Sequence, residues 1–287
     1  MLCHSGSPTN PPFGYGSPTV RTLVRLSVTP LKALRLSHPP EADLTGGGIP
    51  TDRRFYLIDA AGALFDASDL GGLLRIVPDY DPSTERLRCT FPDGSVVEGP
   101  ADGLGATVTT DFFGRPVEGR LVNGGFSEAF SSALGRSVRL VRVKRDGDGQ
   151  DVHPLTIVSS ASVRAIGSHG DRPDLDARRF RIQLEIDGCD PYEEDSWDGG
   201  LVRVGEATIR VRGQIPRCIV TTLGPDTGDK DFTTLNLIAR YRPRIEGRRG
   251  LPFGMYAEVV EPGRVRVGDP VEPVSARPSE ATSVAGR

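Results

Sequence analysis

Short runs of apolar and β-branched residues alternate with turn residues through the first half of the chain, which is typical of a mainly β fold. Six runs predict strands: TLVRLSVTPL (22–31), DRRFYLIDAAG (52–62), LLRIVPDYDP (73–82), LRCTFPDG (87–94), SVVEG (95–99) and ATVTTDFFG (106–114). The DAAG and PDG sequences within them predict hairpin turns, because Asp and Gly accept the positive backbone angles of tight turns.

The same pattern continues downstream and predicts a second mainly β, barrel-like unit. Strands are expected in RFRIQLEI (179–186), GLVRVG (200–205), ATIRVRG (207–213), CIVTTL (218–223), GMYAEVV (254–260) and GRVRVGDPV (263–271). LTIVSSASVRAI (155–166) predicts a strand that enters a helix, capped by Ser159 or Ser160. Upstream, a helix is predicted over 126–134, with Ser127 as the cap and Gly135 at its end.

Composition also predicts where the chain divides into domains and tails. The polar run RDGDGQD (145–151) predicts a surface loop between a domain at 21–145 and a second at 151–274, although it could be an insertion within one domain. The segments 1–20 and 275–287 are rich in small polar residues and Pro and are predicted to be disordered tails.

Composition and net charge exclude several classes of protein. Of 287 residues, 37% are hydrophobic and 25% charged, which indicates a globular protein, and the formal charge of −3 provides no general attraction to nucleic acid. No run approaches the ~20 apolar residues of a membrane span, and the first residues lack an export signal. We therefore expect a cytoplasmic protein without nucleic-acid or membrane partners.

Cysteine offers the clearest candidate chemistry. The four cysteines contain no CxxC pair, but Cys218 follows Arg217 in QIPRCIVTTLGPDTG. A lone cysteine in a strand is most often a small buried apolar residue. A neighbouring arginine would favour the thiolate, which either attacks an electrophile or binds a soft metal, and these residues alone leave both open. Nothing beside Cys189 would favour its thiolate or make it a metal ligand. We expect the nearby acidic run EED (193–195) to pair with arginines.

Three ordered stretches resemble the MOSC domain: FRIQLEIDGCDPYEEDSW, VRVGEATIRVRGQIPRCIVTTLGPDTG and LPFGMYAEVVEPGRVRVGDPV. Upstream, VRLSVTPLKAL and GGGIPTDRRFYLID resemble the N-terminal β-barrel domain that precedes MOSC in the mitochondrial amidoxime-reducing component and its bacterial relatives. The resemblance covers roughly residues 21–274. It implies a β-barrel MOSC fold with few helices after a smaller mainly β domain.

The resemblance also implies a site. It places a molybdenum-ligating, catalytic cysteine at Cys218 and a molybdenum pterin cofactor against eight other residues, namely Lys32, Arg53, His153, Arg181, Gln183, Pro216, Arg217 and Tyr256. Three positions depart from the amidoxime reducers: Ala33 and His153 stand where those proteins carry small polar or hydroxyl residues, and Gln183 replaces Asn. His153 is expected to retune the substrate pocket.

The activity implied by the resemblance is reduction of N-hydroxylated small molecules, such as amidoximes and hydroxylamines. The scattered cysteines cannot make an iron–sulfur motif, so an external electron donor of the ferredoxin or flavin reductase type is expected. Two alternatives stay open at this point. One is a non-catalytic cofactor carrier or sulfur-transfer module with a persulfide on Cys218, and the other is a MOSC protein serving a pathway-specific biosynthetic step.

Overall fold

The secondary structure is mainly β. The computed structural model describes residues 20–243 and 250–274, so the predicted tails lie outside the described residues apart from residue 20. The described strands are β1 Thr22–Leu26, β2 Glu41–Leu44, β3 Phe55–Asp59, β4 Leu64–Phe65, β5 Val77–Asp81, β6 Arg86–Thr90, β7 Val96–Pro100, β8 Leu104–Phe112, β9 Arg115–Val122, β10 Val138–Val143, β11 Leu155–Ser159, β12 Leu184–Asp187, β13 Leu201–Val204, β14 Ala207–Arg217, β15 Leu251–Glu261, β16 Gly263–Arg266 and β17 Val271–Val274.

Helices are few and short. The α-helices among the described residues are α1 Phe126–Leu134, α2 Ser160–Ser168 and α3 Thr234–Tyr241, and short 3-10 helices span Gly71–Arg75, Ala177–Phe180, Glu193–Trp197 and Ile219–Thr222. Across the described ranges, no helix is long and apolar enough to cross a membrane. The predicted mainly β class with a few helices is confirmed.

The larger sheet is a nearly closed barrel. Its strand order is β1-β12-β11-β15-β14-β13-β17, and its two ends approach each other. The Leu23 amide donates to the Asp269 carbonyl at 2.9 Å, and the Val271 amide donates to the Arg21 carbonyl at 2.9 Å. These bonds join the start of β17 and the residues before it to the start of β1 and the residue before it, which satisfies backbone groups that an open edge would leave exposed. Apolar side chains from β1, β11, β12, β13, β14 and β15 fill the interior.

A second body of structure lies upstream. Strands β4-β3-β10-β9-β8 form a five-stranded sheet and β5-β6-β7 a three-stranded one, with α1 packed against β10. Their shared core includes Phe55, Leu87 and Phe130, all fully buried. However, β1 pairs with β12 and β2 pairs with β16. The first strands of the chain therefore belong to sheets completed by its second half, and sheet pairing does not follow a simple division at 145–151.

Local signals predicted several elements correctly. Helix α1 has the predicted bounds and ends at Gly135 in the left-handed region, with φ of 62°. Its cap is different, because Ser127 instead accepts a hydrogen bond from the Leu140 amide on β10. Helix α2 is capped by Ser159, whose hydroxyl accepts from the Ala161 amide. Both predicted hairpin turns join paired strands, β3 to β4 and β6 to β7.

At the candidate site, two predicted strands are wrong in part. Residues 177–180 form a 3-10 helix, and Arg181 then adopts a left-handed conformation (φ 54°), so strand β12 begins only at Leu184. Residues 219–222 form a 3-10 helix because the hydroxyls of Thr221 and Thr222 donate to carbonyls three residues back. Local side-chain bonds thus override β propensity.

Candidate functional site

All nine residues predicted for the site line one cavity, although they come from distant segments. The cavity has a volume of about 140 Å³, and it opens to solvent. Its lining includes Lys32, Arg53, His153, Arg181, Gln183, Pro216, Arg217, Cys218 and Tyr256. The sequence-based hypothesis required this convergence. Contacts with a cofactor stay a prediction.

Cys218 stands at the junction between β14 and the following 3-10 helix. Its side chain is exposed, and its carbonyl accepts hydrogen bonds from the Thr221 amide and hydroxyl. These bonds turn the chain immediately after the cysteine, so the thiol is presented at the cavity instead of being buried in a strand. An exposed thiol is available to a metal or an electrophile.

Arg217 is held beside this thiol by contacts with Phe180. Its guanidinium donates to the Phe180 carbonyl and lies 5.6 Å from the centre of the Phe180 ring. Burial lowers the pKa of Arg217, and its Nε is enclosed without a hydrogen-bond partner. A buried donor without an acceptor is costly, so this nitrogen is suited to an acceptor brought by a ligand.

Asp52 forms the polar centre behind the cavity. Its carboxylate pairs with Arg53 and accepts from the Thr29 amide at 2.8 Å, from Gln150 Nε2 at 2.7 Å and from Gln183 Nε2 at 3.0 Å. Arg53 and Gln183 are therefore fixed from behind. Because the side-chain amide nitrogen of Gln183 already donates to Asp52, the geometry favours a positioning role for Gln183.

Lys32 is anchored by the loop that follows β10. Its Nζ pairs with Asp151 and lies 3.4 Å from the Gly149 carbonyl oxygen. Desolvation acts to raise the pKa of Asp151, but Lys32 and then Arg53 and Arg217 outweigh it and hold that pKa below its usual range. The run 145–151 is predicted as a surface loop. Its residues Gly149 and Gln150 are instead buried beside Arg53.

Arg181 is one of two cations in the cavity that have no ion-pair partner among the described residues. Its Nη2 donates to the Leu34 carbonyl at 2.7 Å. Removal from water, followed by repulsion from Arg53, lowers its pKa to about 9. Among residues 20–243 and 250–274, neither Arg181 nor Arg217 has a carboxylate within ion-pair distance, whereas Lys32 and Arg53 each have one. An anionic ligand would compensate the two unpaired charges.

Backbone strain is concentrated at the same place. Ala33, Arg53 and Arg181 all line the cavity with positive φ values of 74°, 52° and 54°. Each such residue costs of order 1 kcal/mol, and residues of this kind accumulate at ligand sites. The strain presents the chain around Lys32 and the two arginines to the cavity.

Part of the cavity wall is aromatic. The His153 ring lies 5.3 Å from the Tyr256 ring, and its Nδ1 lies 3.2 Å from Glu258 Oε1. Pro216 completes this side at the end of β14. Glu258 is in turn fixed by Arg212, which donates to its other oxygen at 2.8 Å.

Sequence reasoning missed the acidic residues that organise these cations. Asp52 precedes Arg53 directly, and a buried acid beside a functional arginine was the available signal. Asp151 lay in a run whose composition indicates only a polar loop. Asp231, which pairs with the buried Arg179 of the cavity wall, gave no signal because the two are far apart in sequence.

The remaining candidates lie away from the cavity. Glu193 pairs with Arg21 and Asp195 with Arg242, which confirms the predicted arginine pairing. Glu194 differs, because it is buried and accepts from the Ser162 hydroxyl and the Ser159 amide. Cys189 packs against the barrel interior, and its desolvation raises the thiol pKa to about 12, which agrees with a structural role.

Known proteins are similar to this chain, some over its second half and some over most of its length. Residues 144–272 match the MOSC domain family. Human mitochondrial amidoxime reducing component 2 is 27% identical over 281 residues, covering 88% of this chain and 83% of that protein, and mouse mitochondrial amidoxime-reducing component 1 is 28% identical over 283 residues, covering 88% and 82%. Among solved structures, the YUAD protein from Bacillus subtilis aligns over 90% of this chain and 97% of its own, with 14% identity and a TM-score of 0.42. The chain thus contains a MOSC domain at residues 144–272 and is homologous over most of its length to the mitochondrial amidoxime-reducing components.

Proposed function

We propose that this protein binds a molybdenum pterin cofactor and reduces N-hydroxylated small molecules. The observation that carries the proposal is the convergence of an exposed cysteine with unpaired cations in one cavity. Cys218 offers a soft ligand to a metal, and Arg181 and Arg217 offer donors to an anion. The similarity of most of the chain to amidoxime-reducing components supports the same activity.

The donors in the cavity fit the chemistry of this cofactor. Lys32, Arg53 and Arg181 would hold its phosphate, because flexible or planar cationic donors bind phosphate oxygens strongly. Arg217, whose Nε has no acceptor, would contact the pterin, and the Cys218 sulfur would bind the metal. Asp52, itself bonded to Gln183, would keep Arg53 oriented from behind.

The bound cofactor would supply two-electron redox chemistry. In the proposed reaction the N–O bond of an amidoxime breaks, and two electrons and two protons convert the substrate to an amidine and water. The chain contributes substrate enclosure and proton transfer from cavity residues. A separate electron donor, of the ferredoxin or flavin reductase type, is part of the proposal.

The direct test uses protein made in cells that synthesise the cofactor, with benzamidoxime as substrate and reduced methyl viologen as the electron source. The expected result is benzamidine formation in proportion to the molybdenum content. Protein that contains molybdenum but forms no benzamidine would contradict the reductase function. Intact-mass detection of a persulfide on Cys218 in such inactive protein would favour the sulfur-transfer alternative.

A further inference from the structure

A histidine of the cavity wall, His153, is paired with a carboxylate and has no role in the proposed function. His153 Nδ1 lies 3.2 Å from Glu258 Oε1, and Arg212 Nε donates to Glu258 Oε2 at 2.8 Å. Hydrogen bonding to Arg212 comes first among the causes that hold the pKa of Glu258 below its usual range, so this carboxylate is anionic at neutral pH. An anionic acceptor fixes a protonated Nδ1 toward itself.

The orientation of the ring follows from these contacts. Because Glu258 holds Nδ1, the nitrogen left to serve a molecule in the cavity is Nε2. Tyr256 supports the ring from the side, with centroids 5.3 Å apart. The His153 side chain is 25% exposed, so a proton lost to the cavity can be replaced from solvent. His153, Tyr256 and Cys218 line the same cavity.

The chemistry of the proposed reaction needs such a group. Hydroxide is a poor leaving group, and cleavage of an N–O bond is assisted when an acid protonates the departing oxygen. Most of the other charged groups lining the cavity do not supply that proton well. Lys32 is paired with Asp151, the arginines keep their protons, and Asp151 is held in its anionic form by the surrounding cations.

We propose that His153 is the general acid of this site and that Glu258 is its positioning residue. This inference rests on the proposed function. Nε2 of the protonated His153 gives its proton to the hydroxyl oxygen of the N–OH group while the N–O bond breaks. The departing oxygen leaves as water, two electrons reach the substrate from the reduced cofactor, a second proton from solvent goes to the nitrogen and completes the amidine, and His153 regains its proton from solvent.

The test compares His153→Gln with wild type in benzamidoxime reduction with reduced methyl viologen. Glutamine keeps a side-chain donor but does not titrate. We expect kcat to fall roughly 100-fold, with KM and molybdenum content little changed. We also expect the wild-type kcat to fall with rising pH and this fall to be absent from the variant. His169→Gln, an exposed histidine stacked on Tyr241 outside this cavity, is the matched control and should keep wild-type kcat.

A second readout does not depend on turnover. In cofactor-free protein, 15N NMR of the neutral His153 ring should show its proton on Nδ1 in the wild type, and Glu258→Gln should weaken that preference, because the anionic acceptor is gone. An unchanged distribution of the proton between Nδ1 and Nε2 would contradict the positioning role. An active wild type whose His153→Gln variant keeps its kcat and pH profile would overturn the general-acid role alone. A molybdenum-containing wild type that reduces no benzamidoxime would overturn the proposed function and this role together.

Discussion

The Arg53 guanidinium donates a hydrogen bond to the backbone carbonyl of Arg181, with Nη2 and O 3.1 Å apart. These two arginines are 128 positions apart in sequence, and both occupy left-handed backbone conformations. The bond joins the segment after β2 to the segment before β12 at the floor of the cavity. It brings together two cations that repel each other, which a ligand-free protein has little reason to do.

This juxtaposition predicts opposite effects of two matched substitutions on stability. Arg181→Met removes an unpaired charge and should raise the free energy of unfolding of the cofactor-free protein by about 1 kcal/mol. Arg53→Met leaves the buried Asp52 without its ion-pair partner and should lower that free energy by about 3 kcal/mol. Urea unfolding followed by the fluorescence of Trp197, the sole tryptophan, measures both.

Both variants should nevertheless retain less cofactor. Charge-assisted contacts contribute roughly 1.5 to 3 kcal/mol each, so retention should fall by one to two orders of magnitude in either case. Molybdenum retained after gel filtration is the measurement. An Arg181→Met protein that is more stable and keeps its molybdenum would remove Arg181 from the cofactor site.

The loop before β11 provides a test of how tightly the cavity is built. A Cβ added at Gly149 would lie 1.9 Å from the Arg53 carbonyl oxygen, whereas one added at Gly46 would meet nothing within 4 Å. Gly149→Ala should therefore destabilise the protein by about 2 kcal/mol and reduce cofactor retention, because Gln150 and Asp151 must move. Gly46→Ala is the control. Equal urea midpoints for the two variants would show that the loop does not pack as described.

Thiol reactivity distinguishes the cysteines without any cofactor. Burial raises the pKa of Cys89 to about 12, and desolvation raises that of Cys189 to about 12, so both stay protonated near pH 8. In a Cys3→Ser background, iodoacetamide should modify Cys218 first, since this thiol is exposed. Peptide mass spectrometry after brief labelling measures the order in which the cysteines are modified. Faster modification of Cys189 would argue against the placement of Cys218.

Much of the fold could be predicted because its signals are local. The bounds of α1 follow from apolar spacing and a terminal glycine, the start of α2 follows from its capping serine, and the hairpins follow from their turn residues. The pairing of β1 with β12 could not be predicted, because it joins residues more than 150 positions apart. No local pattern records which strand closes a barrel.

The candidate site, like the fold, could be predicted only in part from the sequence. The resemblance indicated Lys32, Arg53, Arg181 and Cys218, and the structure places them around one cavity. Propensity failed at 179–183 and 218–223, where strands were expected and strained or 3-10 backbone presents Arg181 and Cys218 instead. Asp52 was missed because its role comes from four partners gathered by folding. Such departures from local preference are expected where function, and not stability, selects the backbone.

The central claim is that the Cys218 sulfur binds molybdenum. Serine has nearly the same volume but is a poor ligand for a soft metal, so Cys218→Ser should keep the fold and lose both molybdenum and benzamidoxime reduction. The matched control is Cys189→Ser, which changes a thiol outside the cavity and should keep molybdenum at the wild-type ratio.

Quantification of molybdenum and pterin in the wild type and these two variants, purified in parallel from cofactor-competent cells, is the most direct measurement. The account predicts metal in the wild type and Cys189→Ser and its loss from Cys218→Ser. Full molybdenum occupancy with retained turnover in Cys218→Ser, or loss of the metal from Cys189→Ser, would contradict it.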